Sequence, residues 1–270
     1  EYTLISPGTE LAFLHGLPNT SRRYPQYPGY NHLGHVIRVG EGITDLAPGD
    51  RVVTSGRHAS LVTARATNAV KVPEGLDSRR AVYFNMAAIS LQAVRKSGIE
   101  LGESALIMGQ GIIGNLALQL ARLSGALPAV GADLLDERLA LARACGADAV
   151  VNAGSQEVGQ VLLEHVGAET VDVVVDATGT PEVVPQCLNW VGYRGRLVLL
   201  ASTRGETASV NFYRDVHRKG IAIIGAHNAV RPQAESTRGY WTATDDWRVV
   251  LRLLAAERLH PKQLAQDVMD

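Results

Sequence analysis

The residues with the most chemistry in them lie between positions 105 and 133. Gly109-Gln110-Gly111-Ile112-Ile113-Gly114 places glycine at G-x-G-x-x-G spacing, directly after the apolar run Ala105–Met108. In a strand-to-helix turn that holds a diphosphate, each glycine has a separate task. Gly109 permits the tight turn out of the strand. Gly111 has no Cβ, so a pyrophosphate can lie against main chain. Gly114 lets the following helix pack closely on the sheet. The amides of Ile112 and Ile113, at the positive end of that helix, complete the anion site. The next apolar run, Ala129–Ala132, ends on Asp133. That is about twenty residues beyond the glycines, where a carboxylate takes the adenosine ribose hydroxyls and repels a 2′-phosphate. Leu134 follows it, not an arginine that would clamp one. The set predicts NAD as cofactor rather than NADP, with Arg138 counted among the cofactor-binding residues.

Two further loops follow buried-looking strands. They contain Thr178 and Gly179 in Asp176-Ala177-Thr178-Gly179, and Ala201 in Ala201-Ser202. Ligands of open parallel sheets bind at the carboxyl ends of strands, so these three residues are expected on the nicotinamide side. Hydride transfer from an alcohol also needs a proton acceptor and a stabiliser of oxyanion charge. Among the histidines, His58 is the leading proton-transfer candidate, in a loop beyond the strand that follows Asp50. His32 and His35 form a His-x-x-His pattern on or beside a strand and are expected to be satisfied by local hydrogen bonds. No cysteine or carboxylate joins them at ligand spacing, so no metal site is read there.

These residues need elements to hold them. From Ala105 onward strand-like and helical runs alternate: Ala105–Met108 then Ile112–Ser124, Ala129–Asp133 then Glu137–Cys145, Ala149–Asn152, Gln156–Val166, Val171–Ala177, Pro181–Val191, Arg196–Ala201 and Ile221–Gly225. Such alternation predicts an α/β fold with a doubly wound parallel sheet covered on both faces. Upstream the chain is β-rich and broken by Pro and Gly, with strand-like runs at His35–Val39 and Arg51–Thr54 and one long helix over Ser78–Ser97. An amphipathic helix is expected over Asp246–Arg258, in a tail that packs back on the first third.

Composition sets outer limits. The chain has 270 residues, 46% hydrophobic and 20% charged, with net charge −1. No basic footprint points to nucleic acid, and the apolar runs are strand-length, too short for a membrane helix. Two distant cysteines, Cys145 and Cys187, form neither a disulfide framework nor a zinc cluster, which fits a reducing, cytoplasmic setting.

In order along the chain, Ser6-Pro7-Gly8-Thr9-Glu10, Pro28-Gly29-Tyr30-Asn31-His32-Leu33-Gly34-His35-Val36, Val39-Gly40-Glu41-Gly42, Pro48-Gly49-Asp50-Arg51-Val52, Val72-Pro73-Glu74-Gly75-Leu76, the glycine loop and Ala144-Cys145-Gly146-Ala147-Asp148 resemble the medium-chain dehydrogenase/reductase superfamily. The resemblance implies a Rossmann domain, 90–226, inserted in a discontinuous GroES-like catalytic domain, 1–89 and 227–270, and a homodimer acting on a small molecule. Zinc-dependent members carry Cys-Gly-Thr-Asp where this chain has Pro7-Gly8-Thr9-Glu10, Gly-His-Glu where it has Gly29-Tyr30-Asn31, and a further cysteine near Phe84 or Asn85. None of these ligands is present in the sequence, nor is the four-cysteine structural lobe, and the pattern resembles a zinc-lacking subgroup that includes bacteriochlorophyllide dehydrogenase-like proteins. The resemblance places Thr9 where zinc relatives have a proton-relaying hydroxyl. Thr9 also reads as the N-cap of a turn that begins at Glu10. Tyr30 and Asn31 fall where two metal-site residues face the cleft. The catalytic candidates are therefore Thr9, Tyr30, Asn31 and His58. The leading expectation is an NAD-dependent, zinc-independent dehydrogenase of a secondary alcohol or its ketone. A zinc-free quinone or enoyl reductase and an NAD-binding protein without turnover are the alternatives.

Overall fold

A computed structural model describes residues 1–261 and Leu264. Residues 262, 263 and 265–270, which the sequence reading places in the GroES-like domain, lie outside the described residues. The chain divides into two compact units. Glu1–Ala88 and the stretch beginning at Arg231 form the first; Ile89–Val230 form the second.

The second unit is a six-stranded parallel sheet. Its strands are β5 (Ala105–Met108), β6 (Ala129–Asp133), β7 (Ala149–Asn152), β8 (Val171–Asp176), β9 (Val191–Leu199) and β10 (Ala222–Gly225), in spatial order β10-β9-β8-β5-β6-β7. This is the Rossmann order, with the chain reversing direction across the sheet between β5 and β8. Helices α4 (Ile112–Leu123), α5 (Asp136–Ala144), α6 (Val158–Val166) and α7 (Val183–Trp190) connect the strands. Every residue of β5 and β6 is buried, and in β8 only Asp172 is exposed, as a strand covered on both faces requires. Leu106, Val130, Val151, Leu162, Val174, Leu188 and Leu197 form one continuous core. The segment 226–230 belongs here too: Gln92 Nε2 donates to the His227 carbonyl at 3.2 Å.

The first unit holds a four-stranded antiparallel sheet of β1 (Tyr2–Thr3), β2 (His32–His35), β3 (Arg51–Thr54) and β4 (Ala69–Lys71). The strand expected at His35–Val39 lies three residues earlier. Leu33 faces the core fully buried, whereas Ile37 is 71% exposed, so the buried face rather than the apolar run sets the strand. Helix α1 (Pro7–Leu14) stands where irregular chain was expected. Pro7 takes the first helical position, which needs no amide hydrogen. Thr9 is thus inside the helix, and Ser6, not Thr9, is the N-cap residue. The long helix expected over Ser78–Ser97 is two: α2 (Ser78–Ala81), capped by Asp77, and α3 (Phe84–Ser97). Helix α8 (Ala243–Ala255), capped by Thr242, begins three residues before the expected start.

The tail does return to the first unit. Trp247 meets Phe84 edge-on, with ring centroids 5.0 Å apart at 86°. The place where the chain leaves this unit and rejoins it is also closed. Buried Arg231 donates through Nη2 to the Ala88 carbonyl at 2.6 Å and through Nη1 to buried Asp246. A guanidinium inside a core is tolerated only with such a counter-ion and acceptor.

Candidate dinucleotide cradle and polar cluster

The glycine turn has the geometry its spacing demands. Gly109 sits at φ +86°, in the left-handed region, and its amide donates to Ala132 O at 2.7 Å. A Cβ on Gly114 would come within 1.7 Å of the Gly109 carbonyl oxygen, so only glycine allows α4 to start this close to the turn. Gly111 differs. A Cβ there would meet nothing within 4 Å. The bare Cα faces open space at the N-cap of α4, where first-turn amides have no partner inside the helix. Ile112 and Ile113 remain half-exposed beside it. An anionic diphosphate fits that space.

Asp133 ends β6 against the same loop and is 8% exposed. Its Oδ2 accepts from Gln110 N at 2.6 Å, and its Oδ1 accepts from Leu134 N at 2.8 Å and Leu135 N at 3.0 Å. A carboxylate has about four lone-pair positions, so acceptor capacity remains for a ribose hydroxyl. Arg138, half-exposed, lies 3.6 Å from Oδ2. The Gln110 side chain turns beneath the loop rather than outward. Its Nε2 donates to Ile107 O at 2.8 Å, and it occupies room that Gly131 leaves: a Cβ on Gly131 would stand 3.1 Å from Gln110 Cδ. Sequence reasoning missed this pairing, although Gly131 inside a strand is the signal that something approaches it closely.

Thr178, Gly179 and Ala201 gather at the carboxyl end of β8. Asp176 Oδ1 accepts from Thr178 N at 2.9 Å and Thr178 Oγ1 at 2.6 Å, and the Asp176 carbonyl accepts from Ala201 N at 3.0 Å. Gly179, at φ +72°, packs on the Ser202 carbonyl. Asp176 is wholly buried, and its Oδ2 has no partner among the described residues. Burial pushes its pKa up, against the opposing hydrogen bonds from Thr178. Burial likewise pushes the Cys187 thiol well above its usual range, and the Asp176 charge adds to the shift.

In the first unit, each catalytic candidate is held by its own contacts. Asn31 is fully buried; its Nδ2 donates to Leu4 O at 3.2 Å, and its Oδ1 has no partner among the described residues. Tyr30 is half-buried, and its main-chain carbonyl accepts from Asn85 Nδ2 at 2.9 Å. Asn85 in turn accepts from Trp247 Nε1 at 3.0 Å. Thr9 is half-buried on α1, one residue before Glu10. His58 Nε2 lies 3.1 Å from Glu10 Oε1, an oxygen that also accepts from Ser6 N at 2.8 Å. The His58 amide donates to Pro28 O at 3.0 Å. His32, on β2, meets Ala59 O through Nε2 at 3.2 Å, and exposed His35 lies 3.4 Å from Glu1.

These groups do not suit a metal. No cluster of three or more His, Cys, Asp or Glu exists among the described residues. Phe84 packs on Trp247, and the amides of Asn31 and Asn85 are committed to main-chain carbonyls. Both cysteines are buried thiols in the second unit. No helix among the described residues is long and apolar enough to cross a membrane.

Comparison with known proteins agrees with this architecture. The chain is 28% identical over 209 residues to D-guloside 3-dehydrogenase of Shigella flexneri, covering 76% of this chain and 60% of that protein. It therefore spans about three fifths of that relative's length. It is 30% identical over 250 residues to an alcohol dehydrogenase of Geobacillus stearothermophilus, covering 81% of this chain and 73% of the relative. Among solved structures, a zinc-binding dehydrogenase from Sinorhizobium meliloti 1021 bound to NADP superposes with TM-score 0.79 at 24% identity, over 96% of this chain and 80% of that one. An alcohol dehydrogenase from Escherichia coli CFT073 complexed with NADH superposes with TM-score 0.78 at 20% identity, over 97% and 80%. The profile of the zinc-binding dehydrogenases matches residues 113–255. With more than half its length in that match, the chain belongs to the zinc-binding dehydrogenase family, within the medium-chain dehydrogenases/reductases.

Proposed function

We propose that this chain is an NAD-dependent oxidoreductase that moves hydride between the cofactor and a secondary alcohol or its ketone, without zinc. The observation that carries the reading is the open space in front of Gly111, bounded by the α4 amides and the Asp133 carboxylate. Gly109, Gly111, Ile112, Ile113 and Gly114 would hold the diphosphate, and Asp133 the adenosine ribose, with Arg138 beside it. Thr178, Gly179 and Ala201 would border the nicotinamide half. When bound, that ring supplies a two-electron acceptor for hydride. Asp133 supports NAD over NADP because its charge disfavours a 2′-phosphate. The zinc-free reading rests on the donor set: Pro7, Tyr30, Asn31, Phe84 and Asn85 offer no thiolate, imidazole or carboxylate. The guloside dehydrogenase relative suggests a polyhydroxylated substrate. A cytoplasmic homodimer is the expected form.

Fluorescence titration with NADH and NADPH, followed by oxidation of glycosides, polyols and simple secondary alcohols in the presence of a chelator, tests the reading. Tighter NADH binding and chelator-resistant turnover are expected. Tighter NADPH binding overturns the cofactor assignment. Loss of turnover to the chelator overturns the zinc-free chemistry. Binding without any turnover would leave a dinucleotide-binding protein.

A further inference from the structure

We infer that Gln110 is a positioning residue for the adenosine ribose: its side chain, folded beneath the glycine turn, holds the Gln110 main-chain amide on Asp133 Oδ2 and so decides which part of that carboxylate a ribose hydroxyl meets. The inference rests on the proposed dinucleotide site and lies wholly within the second unit. G-x-G-x-x-G spacing leaves residue 110 open, since the glycines alone give the turn and the close approach. Here that position is the one buried residue of the segment 109–113, 2% exposed, while its four neighbours there are half-exposed. Its carboxamide is only partly satisfied. Nε2 donates to Ile107 O at 2.8 Å, but Oε1 is buried and has no partner among the described residues. A leucine would fill similar room without an orphan oxygen, so packing alone does not explain a carboxamide at this position.

Three hydrogen bonds pin the turn. Gly109 N donates to Ala132 O at 2.7 Å, Gln110 N to Asp133 Oδ2 at 2.6 Å, and Gln110 Nε2 to Ile107 O. The first two join the turn to β6. The third ties residue 110 back to β5, the strand it has just left, and so fixes the direction of its own amide. Room for the side chain is prepared on β6, where a Cβ on Gly131 would stand 3.1 Å from Gln110 Cδ and 3.2 Å from Nε2. The acceptor positions of Asp133 can then be counted. Oδ1 accepts from Leu134 N and Leu135 N, which fills both its lone-pair positions. Oδ2 accepts from Gln110 N, which fills one. The position left for a ribose hydroxyl is therefore on Oδ2, beside the Gln110 amide, with Arg138 Nη1 3.6 Å from the same oxygen. A short N–H···carboxylate bond is of the strong, charge-assisted kind, so it orients Oδ2 as well as the turn. The Gln110 side chain acts through Asp133, not on the cofactor itself.

Gln110→Leu keeps the volume and removes both the bond to Ile107 and the orphan oxygen, so thermal stability should hold or rise. Affinity should fall all the same: Kd for NADH and for ADP-ribose, which carries the adenosine ribose, should rise about 3- to 10-fold. Nicotinamide mononucleotide, which lacks that ribose, should bind as before. The preference for NADH over NADPH should narrow, because a carboxylate free to turn away repels a 2′-phosphate less. Proton–nitrogen NMR of the 15N-labelled full chain reads the bond without any cofactor. The residue 110 amide proton should resonate well downfield in the wild type and move upfield in the variant. Gln110→Asn, too short to reach Ile107 O, should behave like Gln110→Leu and serves if the leucine variant does not fold. Leu162→Val, in the core at α6, should lower stability and leave the residue 110 amide and the NADH Kd unchanged. Unaltered Kd values, or an unmoved residue 110 amide, in a folded Gln110 variant overturn the inference. If the wild type bound neither NADH nor ADP-ribose, the dinucleotide reading would fail instead, and the amide shift would still decide whether the Gln110 side chain sets the bond to Asp133.

Discussion

Replacing Gly111 with alanine separates folding from cofactor binding. Gly111 has φ −63° and ψ −176°, a conformation alanine adopts without strain, and the added methyl meets no atom within 4 Å. Two small stability effects then oppose each other. Restricting the unfolded chain stabilises by about 0.4–1 kcal/mol. Alanine is a poorer N-cap than glycine, by roughly 0.5–1 kcal/mol. The net change should lie within about 0.5 kcal/mol, a shift of no more than a few degrees in Tm for a chain this size. Binding has no such compensation. The methyl occupies the approach of the diphosphate and holds it off the α4 amides. Losing one charge-assisted hydrogen bond costs about 1.5–3 kcal/mol, or roughly a 10- to 100-fold rise in Kd. Scanning fluorimetry and NADH titration on the same preparation measure both quantities. An unchanged Kd with a normally folded variant would refute the placement of the diphosphate at this loop.

Three further outcomes follow from contacts already described. Gly131→Ala pushes a methyl against the Gln110 side chain, 3.1 Å away, and should destabilise by about 1–3 kcal/mol. Adding Gln110→Ala should recover part of that loss in urea unfolding, and simple additivity would show that the two residues are not coupled. Asp246→Ala strands the buried Arg231 guanidinium and should cost about 3–5 kcal/mol by the same assay; a loss below about 1 kcal/mol would show the pair to be dispensable. Asp176 has its pKa raised by burial above the ordinary 3.8, so its favourable contribution is complete below that value and is lost as pH climbs through the raised one. The stability of Asp176→Asn relative to wild type should therefore rise between about pH 4 and pH 7, and an equal difference at both pH values would count against the buried-carboxylate reading.

The parallel sheet was legible because its signals are local. A buried strand is an apolar run, and the diphosphate turn is three glycines in six residues. The elements misread in the first unit depend on distant partners. Pro7-Gly8 looks like a chain breaker until Pro7 is seen at the first position of α1. The register of β2 follows from pairing His32 with Thr54 and His35 with Arg51, which no window of sequence contains. The break at Val82–Tyr83 has no glycine or proline to announce it. Glu10 went unnoticed beside Thr9 because its partner lies 48 residues away, and only the fold brings them together.

The bond from Arg231 to the Ala88 carbonyl means that the termini of the interposed Rossmann segment emerge side by side. A segment whose two ends meet asks little of its host, since closing the gap left by its removal needs only a short bridge and little loop entropy. Ala88 is itself buried inside α3, so a module grafted between residues 88 and 231 has to carry that helix on through Ser97.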